Sequence, residues 1–280
     1  MLLRACWRQA VAELAPHSPS ADLDVELLLA HVLALTRAQL YSQKPDRVLL
    51  PAQQKMLQDL LRRRKAGEPV AYLLGRQEFW SISLQVTPAV LIPRPETELL
   101  VQLLLETISP ERHKIADLGT GSAAICVALA MARPHWQFVA SDYSREALEV
   151  AERNVRHYKL KNIELRWGNW CQALLAGEKF DAIISNPPYL ASDDTHLKSE
   201  PALAYEPKNA LIAGKNGLSD LETIIKQSRS YLRDGAYVFL EHGYQQADLV
   251  QQFFLKYGYH AVKKYKDLAA QQRVSRGKWH

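Results

Sequence analysis

The sequence predicts an α/β protein in which a small helical bundle precedes a mainly parallel, doubly wound sheet. Three observations carry this. Residues 1 to about 75 place apolar side chains at helical spacing, without strand-like alternation. From about residue 110, short apolar runs alternate with amphipathic segments, the pattern of repeated β-α units joined by right-handed crossovers. Between one such run and its helix lies a glycine loop, Asp117-Leu118-Gly119-Thr120-Gly121-Ser122-Ala123-Ala124. A chain of 280 residues has room for one large domain and a smaller one.

In the N-terminal part, Leu3, Trp7, Ala10 and Leu14 mark a first helix. Asp22 is placed to cap a second, whose apolar face runs through Val25, Leu28, Leu29, Val32 and Leu35. Pro51 suits the first turn of a third, with Met56, Leu57, Leu60 and Leu61 facing inward and Gly67-Glu68-Pro69 ending it. The basic run Arg62-Arg63-Arg64-Lys65 reads as solvated cations at a helix C-terminus rather than as a binding patch. No catalytic cluster occurs here, so residues 1–75 are expected to form a helical, substrate-recognition domain.

Phe79 to Val86 then alternates like a strand, Thr87-Pro88 interrupts it, and Ala89 to Ile92 returns. Residues 76–95 therefore read as a β-hairpin linker, and 96–280 as a catalytic domain. Pro93-Arg94-Pro95-Glu96-Thr97-Glu98 leads into a helix through Leu100, Leu103 and Leu104. Strands are expected at 114–118, 136–140, 163–167, 180–185 and 237–241, with two more near 260–266 and 272–275. Helices are expected from Ala123 to Ala132, after a Ser144 cap, through Leu221 to Leu232, and over 245–256.

Composition narrows the function classes. The net charge of +5 is compatible with a nucleic-acid or ribosome-linked partner but does not demand one. Cys6, Cys126 and Cys171 are far apart and show no metal-ligand spacing, so no metal is expected and a reducing cytoplasm fits. Arg4, Arg8 and Glu13 break up the N-terminal apolar residues, and no apolar run reaches membrane-spanning length.

The glycine loop alone is ambiguous. Gly119, Gly121 and Ala124 satisfy a dinucleotide fingerprint, and Asp142 ends the next strand where a ribose-binding acid belongs. A methyl-donor site needs almost the same parts, so nicotinamide and S-adenosylmethionine readings both stand at this point. The fourth strand of the series decides between them. It exits into Asn186-Pro187-Pro188-Tyr189, and two prolines can neither extend the strand nor start a helix directly after the Asn. The stiff turn presents an amide oxygen beside free carbonyls, a set of acceptors for a planar NH2 group, with Tyr189 able to cover that plane. Hydride transfer has no use for such an exit; methyl transfer to a planar nitrogen does.

With these motifs the chain resembles the HemK/PrmC family, the protein-(glutamine-N5) methyltransferases that modify class 1 peptide chain release factors. The resemblance runs through Gly75 to Phe79, Leu91 to Glu98, the Asp117 loop, Asn186 to Tyr189, Tyr205-Glu206-Pro207, Gly217-Leu218 and Glu241-His242-Gly243. It implies a class I S-adenosylmethionine-dependent methyltransferase, Rossmann-like with an antiparallel last strand, acting on the glutamine of a Gly-Gly-Gln motif. It also implies a protein substrate, with no membrane and no direct nucleic-acid substrate. Carried over by motif, Asp117, Gly119, Thr120, Gly121, Ser122, Ala123, Asp142, Trp170 and Asn186 would bind the cofactor. Asn186, Pro187, Pro188 and Tyr189 would bind the acceptor, with Asn186, Pro187 and Tyr189 catalytic. The chain departs from the family at Ala123, where Gly is usual and an added Cβ is expected to crowd the cofactor. It departs again at Asn169, where an acid commonly precedes the Trp. The competing readings are a ribosomal-protein glutamine methyltransferase, a DNA adenine-N6 methyltransferase and a cofactor-binding scaffold without turnover.

Overall fold

The computed structural model describes residues 1–44 and 46–280. The chain forms two compact units, Met1–Arg76 with Ser199–Tyr205, and Gln77–Lys198 with Glu206–His280.

The first unit contains α1 (Leu3–Leu14), α2 (Ala21–Val32), α3 (Arg37–Tyr41), α4 (Pro51–Lys65) and α5 (Val70–Leu74). Its core joins Leu14, Val25, Leu28, Leu29, Leu57, Leu60 and Leu61, each full burial contributing roughly 1.5–3 kcal/mol before entropy is set against it. Pro51 occupies the first turn of α4, while Met56 is exposed rather than inward. The cap of α2 is Ser20, not Asp22, which lies in the first turn. The basic run at the end of α4 is taken up by ion pairs. Arg64 Nε lies 2.8 Å from the buried Asp24 Oδ2, Lys65 reaches Glu13 at 2.8 Å, and Arg63 holds Glu68. Ser199–Tyr205 belongs to this unit because the Tyr205 hydroxyl donates to Ala66 O at 2.9 Å and Pro201 packs over Gly67.

The second unit opens with a hairpin, β1 (Arg76–Phe79) and β2 (Ile82–Gln85). The expected turn position is corrected here. The alternation through 79–86 is interrupted by Trp80 and Ser81, both at positive φ (51° and 61°), and Ala89 to Ile92 forms no strand. Two left-handed residues make the tight turn a hairpin needs, and without Gly or Asn the sequence does not announce it. Then follow α6 (Glu98–Thr107), β3 (Lys114–Leu118), α7 (Ala124–Ala132), β4 (Gln137–Asp142), α8 (Arg145–His157), β5 (Ile163–Trp167) and β6 (Phe180–Ser185). A single turn α9 (His196–Ser199), α10 (Ser219–Ser228), β7 (Leu232–Glu241), α11 (Ala247–Lys256), β8 (His260–Lys266) and β9 (Gln272–Lys278) complete the chain. Leu232 therefore starts β7 instead of ending the preceding helix.

The seven-stranded sheet runs β5-β4-β3-β6-β7-β9-β8. Strands β3 to β7 pair in parallel, and β9 inserts antiparallel between β7 and β8. Helices flank the sheet, so its central strands are buried on both faces and read as continuous apolar runs. Winding reverses at β3, whose neighbours are β4 on one side and β6 on the other. At such a switch point the loops leaving the two central strands diverge and open a crevice at their carboxyl ends. The glycine loop leaves β3 there and the Asn-Pro-Pro-Tyr turn leaves β6. Ser185 Oγ ties the two exits by donating to Leu118 O at 2.6 Å.

The turn after β6 is braced from behind. Gln246 Nε2 donates to Tyr189 O at 2.9 Å and to Gly217 O at 3.1 Å. Gly217 has φ +66°, and a Cβ there would lie 2.2 Å from Tyr189 O. Gly217→Ala is thus expected to lower stability by roughly 2–4 kcal/mol, combining left-handed strain with overpacking. The shift of the urea midpoint measures it, and an unchanged midpoint contradicts the account.

Candidate active site

The glycine loop is wound around its own hydrogen bonds. Gly119 N and Thr120 N both donate to Ser141 O at 2.8 Å, and Ala123 N donates to Thr120 O at 2.8 Å. Gly121 N donates to Asp142 Oδ2 at 2.8 Å, while Ser144 N donates to Asp142 Oδ1 at 2.9 Å. These N–H groups face protein acceptors, so they form no cradle for a pyrophosphate. The nearby charges are negative instead. Asp117 is fully buried beneath the loop. Its Oδ2 accepts from the Thr120 hydroxyl at 2.7 Å, and its Oδ1 has no partner among the described residues. Burial pushes its pKa up to about 6 against the pull of Thr120. Burial also raises Asp142, opposed by the backbone donors of Ser144 and Gly121.

A cleft of about 260 Å³ opens beside this loop. Among its walls are Gly119, Thr120, Gly121, Ser122, Asp142, Asn169 and Trp170, and across from them Thr97, Asn186 and Pro188. Gly119 has φ +73°, and a Cβ there would meet the Trp170 ring at 3.0 Å, so the ring packs against a position only glycine leaves open. Trp170 itself is held at φ +47°, with its Nε1 donating to Asp220 Oδ1 at 3.3 Å. Burial raises the pKa of that carboxyl, and Asp220 also borders the cleft. A flat apolar ring, two carboxylates and a loop with few spare N–H groups suit a cationic nucleoside better than a dinucleotide.

Asn186 faces this cleft from the end of β6. Its Nδ2 donates to Thr97 Oγ1 at 3.0 Å, which leaves Oδ1 as the free acceptor. Pro187 and Tyr189, by contrast, do not line the cleft. Tyr189 packs against the core between β6 and β7, and its hydroxyl donates to Glu241 Oε1 at 3.3 Å. The expectation that Tyr189 covers the acceptor plane is corrected accordingly, because its phenol is anchored to a buried carboxyl and turned into the sheet edge. Pro188 takes the wall position.

Two matching domain models frame the chain, "PrmC N-terminal domain" over residues 5–75 and "Methyltransferase small domain" over 95–219. A release factor glutamine methyltransferase of Coxiella burnetii is 45% identical over 263 residues, covering 94% of this chain and 93% of that protein. Its Escherichia coli counterpart is 41% identical over 273 residues, covering 98% and 97%. This chain belongs to the release factor glutamine methyltransferase family. Solved structures agree on the fold. A Pyrococcus furiosus methyltransferase aligns with TM-score 0.54 at 18% identity, over 79% of this chain and 96% of that one. A T. thermophilus 16S rRNA methyltransferase in complex with AdoMet and guanosine aligns with TM-score 0.55 at 19% identity, over 73% and 50%.

Release factor glutamine methyltransferases are S-adenosylmethionine-dependent, and the cleft fits that cofactor. Asp142 keeps acceptor capacity beyond its two backbone bonds and suits a pair of ribose hydroxyls. Trp170 offers a ring for the adenine, and the buried Asp117 carboxyl adds negative potential below the loop. The two departures from the family pattern acquire physical content. Ala123 is completely buried, at φ +63° and not among the cleft walls, so its Cβ packs into the core. Its penalty is left-handed strain. Ala123→Gly should leave cofactor affinity unchanged in calorimetry while stabilising the fold by up to about 1 kcal/mol, the strain relieved less the extra entropy of glycine. Tighter binding without added stability would restore the crowding account. Asn169 does line the cleft, and Asp220 brings a carboxylate to the same wall from a different helix.

Sequence reasoning missed Thr97, Asp220 and Glu241 as site residues. Thr97 sits inside Pro93-Arg94-Pro95-Glu96-Thr97-Glu98, so the motif was visible although the contact, 89 residues away in sequence, was not.

Proposed function

We propose that this protein transfers a methyl group from S-adenosylmethionine to the side-chain amide N5 of the glutamine in the Gly-Gly-Gln motif of class 1 peptide chain release factors. The observation that carries this reading is the orientation of Asn186. With Nδ2 committed to Thr97, its Oδ1 is an acceptor in the same cleft as Asp142 and the glycine loop. The names of relatives covering nearly the whole chain support the substrate.

S-adenosylmethionine supplies an electrophilic methyl on a sulfonium. An amide nitrogen is a weak nucleophile because its lone pair is delocalised, so the protein's task is alignment. Asn186 Oδ1 accepts an amide hydrogen, orients the nitrogen and stabilises the positive charge that grows on it. Pro187, outside the cleft wall, contributes the stiffness of the turn instead of the second acceptor the sequence suggests. The nitrogen gains the methyl and loses one proton to solvent. His242 takes no part. Its Nδ1 donates to Gly243 O at 2.9 Å and its Nε2 faces Ser275 Oγ at 2.8 Å. Burial lowers its pKa to about 4, keeping it neutral.

In this reading residues 1–75 recognise the release factor, 76–95 link, and 96–280 catalyse. Three free cysteines accord with work in the cytoplasm. Among the described residues no helix is long and apolar enough to cross a membrane. Transfer of tritium from labelled donor to a purified release factor tests the proposal. Label confined to the Gly-Gly-Gln glutamine supports it. Label on ribosomal protein or DNA instead, or donor binding without transfer, overturns it.

A further inference from the structure

The buried carboxyl behind the acceptor turn has a place in this reaction. Glu241 ends β7, and the register Ser185↔Leu240 sets it beside Asn186 at the carboxyl edge of the sheet. It is completely buried. Oε1 accepts from the Tyr189 hydroxyl at 3.3 Å, and Oε2 is buried with no well-aligned hydrogen bond among the described residues. The Thr97 hydroxyl sits against the same carboxyl and favours its charged form. Thr97, itself buried, accepts from Asn186 Nδ2 at 3.0 Å. An ionisable side chain thus touches Tyr189 at one end of the turn directly and Asn186 at the other only through Thr97, without lining the cleft.

We infer that Glu241 is a positioning residue for methyl transfer, acting through Thr97 to fix which way the Asn186 amide faces. The inference rests on the proposed function and deepens it. Thr97 has one hydroxyl hydrogen. When Glu241 is ionised it draws that hydrogen, and Thr97 then has only lone pairs to offer Asn186. Asn186 must present Nδ2 to Thr97 and Oδ1 to the cleft. When Glu241 is protonated, the Thr97 hydrogen is released and can bond Asn186 Oδ1. The amide then flips and puts an NH2 group where the substrate's own NH2 must bind. Ionised Glu241 therefore favours the acceptor-out state.

The surroundings set where this switch lies. Burial is the largest influence on Glu241 and raises its pKa to about 7. Arg273 from β9, Thr97 and Tyr189 pull it down, whereas Glu96 pushes it up. His242, next in the chain, is neutral and adds no charge. The acceptor-out state is fully present above this pKa and is lost as pH falls through it.

Single-turnover methylation of a purified release factor at saturating donor tests the idea. Thr97→Val keeps the shape and removes the hydroxyl. It should slow the methyl-transfer step roughly 10- to 100-fold, with donor affinity by calorimetry within about twofold, and Thr97→Ser should restore most of the rate. Glu241→Gln, which cannot ionise, should abolish the acidic limb of the rate–pH profile that the wild type shows near neutrality. A Thr97→Val protein as fast as wild type, a Thr97→Ser protein as slow as Thr97→Val, or an acidic limb that persists in Glu241→Gln overturns the inference. The Glu241→Gln profile decides the matter if Thr97→Val does not fold. Absence of transfer by the wild-type protein would instead reject the proposed function itself, so the two failures are distinguishable.

Discussion

Asn186→Ala is expected to reduce the methyl-transfer rate by about 10²–10³-fold, the range seen when one preorganised group facing developing charge is removed. The substitution deletes the acceptor at the end of β6 and leaves the glycine loop intact. None of the loop's hydrogen bonds to Ser141, Asp142 or Asp117 involves residue 186. Donor affinity should therefore stay within about twofold. Thr97 loses one donor and keeps its contact with Glu241, so the local structure has little cause to rearrange. Single-turnover assays at saturating donor and release factor isolate the step. A mutant with the wild-type rate would remove Asn186 from the reaction.

Asp142→Ala acts on the other wall and should appear in binding. The carboxylate has two roles that share one location. It ties Gly121 N and Ser144 N together, and its remaining lone pairs face the cleft. Hydrogen bonds to a charged acceptor contribute about 1.5–3 kcal/mol, so losing those to ribose should weaken donor binding roughly 10- to 100-fold. Loss of the two backbone anchors adds disorder in the loop. Titration calorimetry with S-adenosylhomocysteine measures the effect, and undiminished affinity would disprove the assignment. The sign with pH follows from burial. Burial raises Asp142 from its ordinary value, so affinity is complete above its pKa and falls as acid protonates it, earlier than an exposed aspartate would allow.

How legible this site was in the sequence depends on the kind of residue involved. The glycine loop and the exit of β6 could be read because their chemistry is local: glycines mark positive φ, and paired prolines forbid strand and helix alike. Asp142 followed from counting to the end of the next strand. The turn at Trp80-Ser81 and the left-handed Ala123 escaped because ordinary residues occupy conformations for which the sequence carries no signal. Tyr189 was assigned to the cleft because its position within the motif suggested contact, whereas the depth of the Glu241 carboxyl draws the phenol away. The Thr97–Asn186 bond and the contact of Thr97 with Glu241 depend on sheet register and on a loop returning to the sheet edge. Such long-range pairings have no local signature.

The single amide of Gln246 that clasps both Tyr189 O and Gly217 O makes the intervening stretch a cassette with a common hinge post. Residues 190–216 depart from and return to that one post, yet they are no free insert: Pro207, Asn209 and Ala210 form part of the cleft wall, and the buried Glu206 accepts from Ile92 N and from Arg94. A rewrite of this stretch is therefore felt at the reactive corner as well as at the surface.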